Sequence, residues 1–454
     1  MDFDSLRKEY STFEYQYYKI TENEENITLK YGFEIIGLSK FEPEIIIKKK
    51  KFNWKNIDTY KAKEIAFYIG MVEAISYFKA TCSPKFVIKC GYLDEFQKKW
   101  FSKLYYLGLG EFRYRNNIKV SQEDFINFEV ENDKEISQKE SGILEEKSGL
   151  IIPIGGGKDS NVTLELLKKY KDDTLCFCIG SKKVSIECAK QAGFENEQII
   201  EVDRKIDKRL IELNAEGFLN GHTPFSAIIA FITYFVAFLL NKKYIALSNE
   251  DSANQSNVAG EKINHQYSKT YEFETDFRNF VNQYLEKGIE YFSMLRPITE
   301  LQIAMLFSKL KPYHKIFKSC NVGSKTEPWK WCCNCPKCLF VYTILSPFLY
   351  KKELVEIFGE DLFEKESLKE TFVELCGFGE TKPFECVGTY EEVQYAVSET
   401  INKLESKNLE LPYLLKFYKE NYKMREGKFL KFYNENNYLP KDFDDILRNE
   451  IFKD

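Results

Sequence analysis

A chain of 454 residues, 44% of them hydrophobic, is long enough for two or three domains with sizeable cores. Its net charge of −5 and pI near 5.7 leave no global basic field to hold nucleic acid. The first residues, Met1-Asp2-Phe3-Asp4, are acidic and make no secretory signal. The 12 cysteines therefore read as metal ligands or reactive thiols of a cytoplasmic protein rather than as disulfides.

Residues 1–128 are expected to form an α+β domain of their own. Segments 15–20 and 26–33 read as paired strands around the polar turn 21–25, and 44–49 as a further strand. The basic run Lys48, Lys49, Lys50 and Lys51 reads as a solvated strand end. Helices are expected over 59–79, where Ile65, Ile69, Val72 and Ile75 recur at helical spacing, and over 93–107. Neither carries an obvious catalytic cluster. The charged stretch 129–148 reads as a linker.

From residue 149 strands and helices alternate. Strands are expected at 150–154, 174–179, 198–202 and 244–248, and helices at 161–170, 182–193 and 207–241, the last broken near Gly221 and Pro224. This alternation predicts a doubly wound parallel sheet, with ligands bound beyond the carboxyl ends of its strands. The apolar run 225–240 contains Ser226 and Thr233 and is too short for a membrane span, so it reads as a buried helix. No membrane association is expected. The domain closes near 345, and 346–454 reads as a helical C-terminal region.

The first of those strands runs into Gly155-Gly156-Gly157-Lys158-Asp159-Ser160. Glycines let a backbone approach a phosphate, and a helix start presents free N–H groups and partial positive charge. The spacing fits neither the Walker A loop nor the dinucleotide fingerprint. It resembles the pyrophosphatase loop of AMP-forming enzymes, usually Ser-Gly-Gly-x-Asp-Ser, with Gly155 in place of the serine. That resemblance implies the adenine-nucleotide α-hydrolase (PP-loop) type of α/β fold for 149–345. It also implies ATP cradled by Gly155, Gly156, Gly157 and Ser160, and Mg2+ held by Asp159. Lys158 either touches a phosphate or faces solvent. Gly180 and Ser181, after the second strand, lie where such folds receive adenine or ribose.

Cys332, Cys335 and Cys338 are spaced at three, with Cys320 upstream. Four thiolates suit a structural zinc, which would staple a strand carrying Cys320 to a helix starting near Leu339, and Lys337 would offset part of the thiolate charge. The loop and the cysteines together resemble the 7-cyano-7-deazaguanine synthases. More of the chain resembles the UDP-N-acetylmuramoyl-L-alanyl-L-glutamate epimerase (MurL) family. That resemblance rests on Ile69 to Glu73 with Ser76 to Lys79, on Ser248-Asn249-Glu250-Asp251-Ser252-Ala253-Asn254, and on Asn264-His265-Gln266-Tyr267-Ser268-Lys269. The run from Cys332 to Tyr342 and Lys382-Pro383-Phe384-Glu385-Cys386-Val387-Gly388-Thr389 complete it.

The MurL resemblance implies an ATP- and magnesium-dependent isomerase of peptidoglycan synthesis. It would convert the terminal L-glutamate of a UDP-linked muramoyl dipeptide to D-glutamate and release AMP and diphosphate. Among His222, His265 and His314, His265 is the preferred proton-transfer group, because its loop leaves the active edge of the sheet and carries Lys269. Glu250, Asp251 and Lys382 are alternatives. Asn249, Asn254, Lys382 and Glu385 are expected to bind substrate, and Arg296 or Lys382 to pair with its carboxylate or diphosphate. Cys386 invites comparison with cysteine-pair racemases, or is simply a buried thiol. A ligase or thiolase acting on a nucleobase or tRNA, and a non-catalytic zinc-stapled scaffold, are the competing readings.

Overall fold

The computed structural model describes residues 1–131, 146–180, 182–258, 260–320, 322–323 and 330–453. Most of the expected linker 129–148 and Ser181 lie outside these residues.

Eleven strands among the described residues form one mixed sheet: β1 (Thr12–Glu22), β2 (Asn26–Ile35), β3 (Ser39–Phe41), β4 (Glu44–Lys48), β5 (Lys85–Ile88), β6 (Asn127–Val130), β7 (Ser148–Pro153), β8 (Thr174–Ile179), β9 (Ile199–Lys205), β10 (Lys242–Leu247) and β11 (Glu290–Ser293). Their order is β11-β10-β7-β8-β9-β4-β2-β1-β5-β6, with β3 beside β2. The half from β11 to β9 is wholly parallel. In it β8 and β9 lie on one side of β7, and β10 and β11 on the other. The winding therefore reverses at β7, where a crevice opens beyond the strand ends.

Strand alternation explains the layers. Ile151, Leu175, Phe177, Ile200, Val202 and Ile245 enter one core, with the helix Phe225–Leu239. Their neighbours Leu150, Ile152, Cys176, Cys178, Ile199 and Ala246 enter a second core on the opposite face, with helices Lys158–Leu166, Lys183–Gln191 and Glu300–Lys309. The C-terminal helices, including Tyr390–Glu405 and Lys441–Ile451, close the second core.

The expected separation of residues 1–128 is not a break in the sheet. β4 pairs antiparallel with β9, Ile45 opposite Arg204 and Ile47 opposite Val202. The first core is shared as well, since it joins Phe13, Tyr31 and Ile65 to Ile151 and Phe177. Arg204 donates to Glu73, which is fully buried, at 2.7 Å and to Ser76 at 2.7 Å, tying β9 to the helix Tyr60–Glu73.

The expected helix over 59–79 is two pieces, Tyr60–Glu73, capped by Thr59, and Ile75–Phe78. The break expected near Gly221 and Pro224 is present, with helices Lys208–Ala215 and Phe225–Leu239 on either side. No described helix is long and apolar enough to cross a membrane.

Candidate active site

β7 ends at Pro153, and Ile154 still donates to the Phe177 carbonyl at 2.9 Å, so the glycine loop begins with the sheet's geometry imposed on it. Gly156 has φ +79°, and a Cβ there would lie 2.7 Å from Val184 Cγ1 and 3.1 Å from Ser185 N. Both the backbone and the neighbours therefore require glycine. The Gly156 carbonyl accepts from Lys318 N at 3.0 Å. Gly157 caps the helix Lys158–Leu166, and a Cβ on Gly155 would meet nothing within 4 Å. The space in front of the loop is therefore open on the Gly155 side. The buried hydroxyls of Ser319 and Ser248 have no hydrogen-bond partner among the described residues. Ser319 lies against the loop, its Cβ 3.4 Å from where a Gly157 Cβ would be. Gly180, at the end of β8, has φ +77° and open space around it.

Lys158 neither reaches into that space nor faces solvent, the two positions expected for it. It is 1% exposed, and its ammonium donates to both Asp159 and Glu300. Burial raises the Asp159 carboxyl, but Lys158, and then Lys337, outweigh it and hold the group below the ordinary carboxylate range. Burial pushes Glu300 up against the pull of Lys158. Glu392 in turn accepts from Glu300 N at 2.7 Å and from Thr389 N at 2.8 Å. This buried chain of charges fixes where the Asp159 carboxylate, still part-exposed, is presented.

Beside the loop lies a second cluster, drawn from five distant segments. His265 Nδ1 is 2.5 Å from Glu111 Oε2, and Arg115 Nε is 2.5 Å from the other Glu111 oxygen. The rings of His222 and His265 lie 4.1 Å apart. Cys386 accepts from Lys269 Nζ at 3.3 Å, and the His265 charge acts on the same thiol. Lys337 Nζ donates to the Cys386 carbonyl. Asn257 holds the two loops in register: its side chain accepts from His265 N at 2.8 Å and donates to the Pro383 carbonyl at 3.0 Å.

The charges in this cluster are ordered by contact. Burial lowers His265, yet Cys386 and Glu111 outweigh it and raise the imidazole to about 9. Burial raises Cys386, yet Lys269 and His265 bring the thiol down to about 6. Burial and the neighbouring His265 charge push His222 down to about 3, so it is neutral at pH 7. Near neutrality the cluster is thus a thiolate flanked by an imidazolium and an ammonium. The charges of Lys269 and Lys337 both act on Asp159, which couples the two clusters.

The remaining expected residues divide. Lys382 is 2% exposed, donates to Gln255 Oε1 at 3.1 Å, and is lowered by burial to about 8. Glu250 is buried, and its charge raises Lys269. Glu385 is half-buried, raised by burial and drawn down by Lys337 and His265. Asn249 donates to Ser293 Oγ at 3.0 Å, and its neighbour Asp251 accepts from Asn434 at 2.6 Å. Asn254 is committed at both ends of its amide, to Asp251 O and Tyr271 N, so it shapes its own loop. His314 accompanies Phe307 instead of joining the cluster.

Arg296 does not face a substrate. It is fully buried, paired with Glu274 at 3.0 Å, and donates to the carbonyls of Glu250 at 2.6 Å and Lys269 at 2.5 Å. It therefore ties both site loops to the end of β11. Arg296→Ala should cost about 3–5 kcal/mol in urea unfolding, because it leaves Glu274 charged and buried without its partner. A cost near zero would remove Arg296 from this role.

Cys320, Cys332, Cys335 and Cys338 place four sulfurs within 4.8 Å of one another. Cys332 and Cys335 lie 3.6 and 3.5 Å from Cys338. A tetrahedral zinc with bonds of about 2.3 Å has sulfur–sulfur edges of about 3.8 Å, so the donor set fits that ion. The helix bearing Cys338 is Pro336–Leu345, and Cys320 lies in an irregular segment rather than the expected strand.

Glu111 and its helix Gly110–Arg115 were not expected to take part, because nothing near them in the chain marks a site. Tyr114 packs with its ring tilted 5.4 Å from Phe384 and the Arg115 guanidinium lies 5.0 Å over the same ring, so this helix also anchors the Cys386 segment.

Residues 4–294 match the MurL N-terminal domain and residues 316–423 the MurL C-terminal domain. A UDP-N-acetyl-alpha-D-muramoyl-L-alanyl-L-glutamate epimerase of Xanthomonas oryzae pv. oryzae is 33% identical over 345 residues, 75% of each chain. One from a Micromonospora species is 34% identical over 334 residues, 73% of each chain. The match to the N-terminal domain runs through β7 and the glycine loop, as the continuous sheet does.

Proposed function

The chain belongs to the MurL family, and from that membership we propose that it inverts the α-carbon of the terminal L-glutamate of UDP-MurNAc-L-Ala-L-Glu, an isomerisation in peptidoglycan synthesis, after activating the adjacent carboxylate with ATP and magnesium. The observation that carries this reading is one juxtaposition: an open glycine loop and a thiolate–imidazolium–ammonium cluster, joined electrostatically at Asp159.

The α-proton of a carboxylate is a poor acid, since its removal puts a second charge beside the first. Bound with magnesium, ATP would supply the remedy, replacing the carboxylate charge by an AMP ester with diphosphate as the leaving group. The chain's own groups suit such a ligand. Gly155 to Gly157 and Ser160 supply a backbone cradle at the start of a helix. Asp159 offers an anionic oxygen to a hard cation. The partnerless hydroxyls of Ser319 and Ser248 are donors free for phosphate or ribose oxygens, and Gly180 leaves room beyond β8. These features support reading the parallel half as a PP-loop fold.

His265, Lys269 and Lys382 are the cationic groups around the reacting carbon and Glu250 their charge partner, while Asn249 and Glu385 lie beside the substrate's path. The cysteine cluster holds zinc as a staple. The protein works in the cytoplasm, and residues 149–345 carry the nucleotide loop and the cysteine cluster.

The test is an incubation with UDP-MurNAc-L-Ala-L-Glu, with and without ATP and magnesium, followed by hydrolysis and chiral analysis of glutamate. D-Glutamate should form only with ATP, and AMP rather than ADP should accumulate. D-Glutamate formed equally without nucleotide would retract the activation step, and AMP without D-glutamate would retract the epimerase reading.

A further inference from the structure

The cluster beside the loop assigns a group that the epimerase reading leaves open. We propose that Cys386 is the base that takes the α-proton of the bound glutamyl group, with His265 and Lys269 holding it as thiolate. The inference rests on the activation step proposed above and adds the identity of the base.

Four observations carry it. Cys386 is part-exposed, whereas Cys82, Cys176, Cys188 and Cys376 are buried. The sulfur accepts from Lys269 Nζ at 3.3 Å, and the His265 charge acts on it. His265 is itself held by Glu111 at 2.5 Å, which fixes the imidazole beside the sulfur. Finally, Lys337, whose ammonium is fixed on the Cys386 carbonyl, and Lys269 both act on Asp159, so the thiolate stands next to the place where the carboxyl would be activated.

The largest charged influences on the sulfur favour the thiolate: Lys269, His265 and Lys337 lower it against burial, while the neighbouring carboxylate Glu385 carries the opposite charge. Glu111, Glu250 and the neutral His222 act at one remove, on His265 or Lys269. The thiol is therefore ionised above about pH 6 and loses its basicity as pH falls below that value.

The step balances as a proton transfer. The Cα–H bond breaks and an S–H bond forms on Cys386. The released electron pair moves towards the activated carboxyl as an enolate, which the cationic cluster stabilises. The enolate carbon then takes a proton on its opposite face. Lys382, a buried ammonium lowered to about 8 and electrostatically coupled to Cys386, is the donor outside the Cys386–His265–Glu111 chain. The two proton carriers return to their starting states through solvent.

The experiment has two arms on the full-length protein. In the first, iodoacetamide alkylation of Cys386 is followed by peptide mass mapping between pH 5 and 9, without substrate or nucleotide. The rate should rise with a midpoint near pH 6, and Lys269→Met should move the midpoint up by at least about one unit. A wild-type midpoint above 8 would overturn the proposal.

In the second, Cys386→Ala and Cys386→Ser are assayed in deuterated water with substrate, ATP and magnesium. Both should lose α-deuterium incorporation by about 10³-fold or more while AMP formation continues. Exchange at the wild-type rate in Cys386→Ala would overturn the proposal, as would a substrate-sized covalent adduct on wild-type Cys386, which would make it a nucleophile. Wild-type protein that exchanges the α-proton without forming AMP would sink the activation step alone, and the alkylation midpoint would still decide the state of the thiol.

Discussion

Asp159→Asn should reduce AMP formation by at least about 10²–10³-fold with substrate, ATP and magnesium, while the protein stays folded. The substitution keeps the size of the side chain and removes the anionic oxygen offered to the cation. Asp159 is joined to Lys158, which is 1% exposed, and loss of a charge beside a buried ammonium is ordinarily destabilising. Here Lys158 keeps its second acceptor, Glu300, and Glu300 keeps its backbone tie to Glu392. The unfolding free energy should therefore fall by no more than ~1–2 kcal/mol. Lys158→Met should behave the other way, since it leaves Asp159 and Glu300 side by side without their cation. Stability should then drop by about 3–5 kcal/mol, measured by urea unfolding. Asp159→Asn with undiminished AMP formation would remove the loop from the activation step.

Loss of the metal should have the largest effect on stability. Structural zinc contributes apparent binding energies of about 10–16 kcal/mol, all of it available to the folded state alone. Three of the four sulfurs stand at the start of the helix Pro336–Leu345, whose side chains are buried throughout the second core, and the fourth comes from the segment after Phe317. A zinc bound there would also fix Lys337, between Cys335 and Cys338, whose ammonium donates to the Cys386 carbonyl. Cys338→Ser, or chelation at moderate temperature, should therefore lower the unfolding midpoint by many degrees. It should also abolish α-proton exchange, and zinc should restore both in the chelated wild type. Metal analysis should find about one zinc per chain. Metal-free protein with an unchanged midpoint would mean that the four sulfurs are ordinary buried thiols.

The strands most easily read from the chain are those with long apolar or alternating runs. Segments such as 174–179 and 26–33 coincide with observed strands to within two residues, because strong β-formers there are bounded by turn residues. β5, β6 and β11 are four residues each, too short for any periodicity to register. The union of the two halves through β4 and β9 depends on pairing residues such as Ile45 and Arg204, which no local pattern connects. The glycine loop was legible for the opposite reason, being local: strand, turn and helix start follow one another directly.

The site itself was half legible. His265 and Lys269 stand out as polar residues in a loop at the strand ends. Cys386 read from the chain alone favours a buried thiol, and only the fold brings Lys269, 117 positions away, within 3.3 Å of it. Glu111, 154 positions from His265, had no signal at all, since a glutamate on a short helix usually faces solvent. Arg296 misled for the same reason in reverse. Its charge suggested a ligand, and its burial with Glu274 makes it a tie between loops.

The account joins carboxylate activation at Asp159 to proton exchange at Cys386, and one measurement addresses both. UDP-MurNAc-L-Ala-L-Glu is incubated with the protein, ATP and magnesium in deuterated water, and the glutamate released by hydrolysis is resolved by chirality and mass. D-Glutamate carrying deuterium at the α-carbon, formed only together with AMP, is the predicted result. D-Glutamate retaining its original α-hydrogen, or α-exchange that proceeds without AMP, would contradict it.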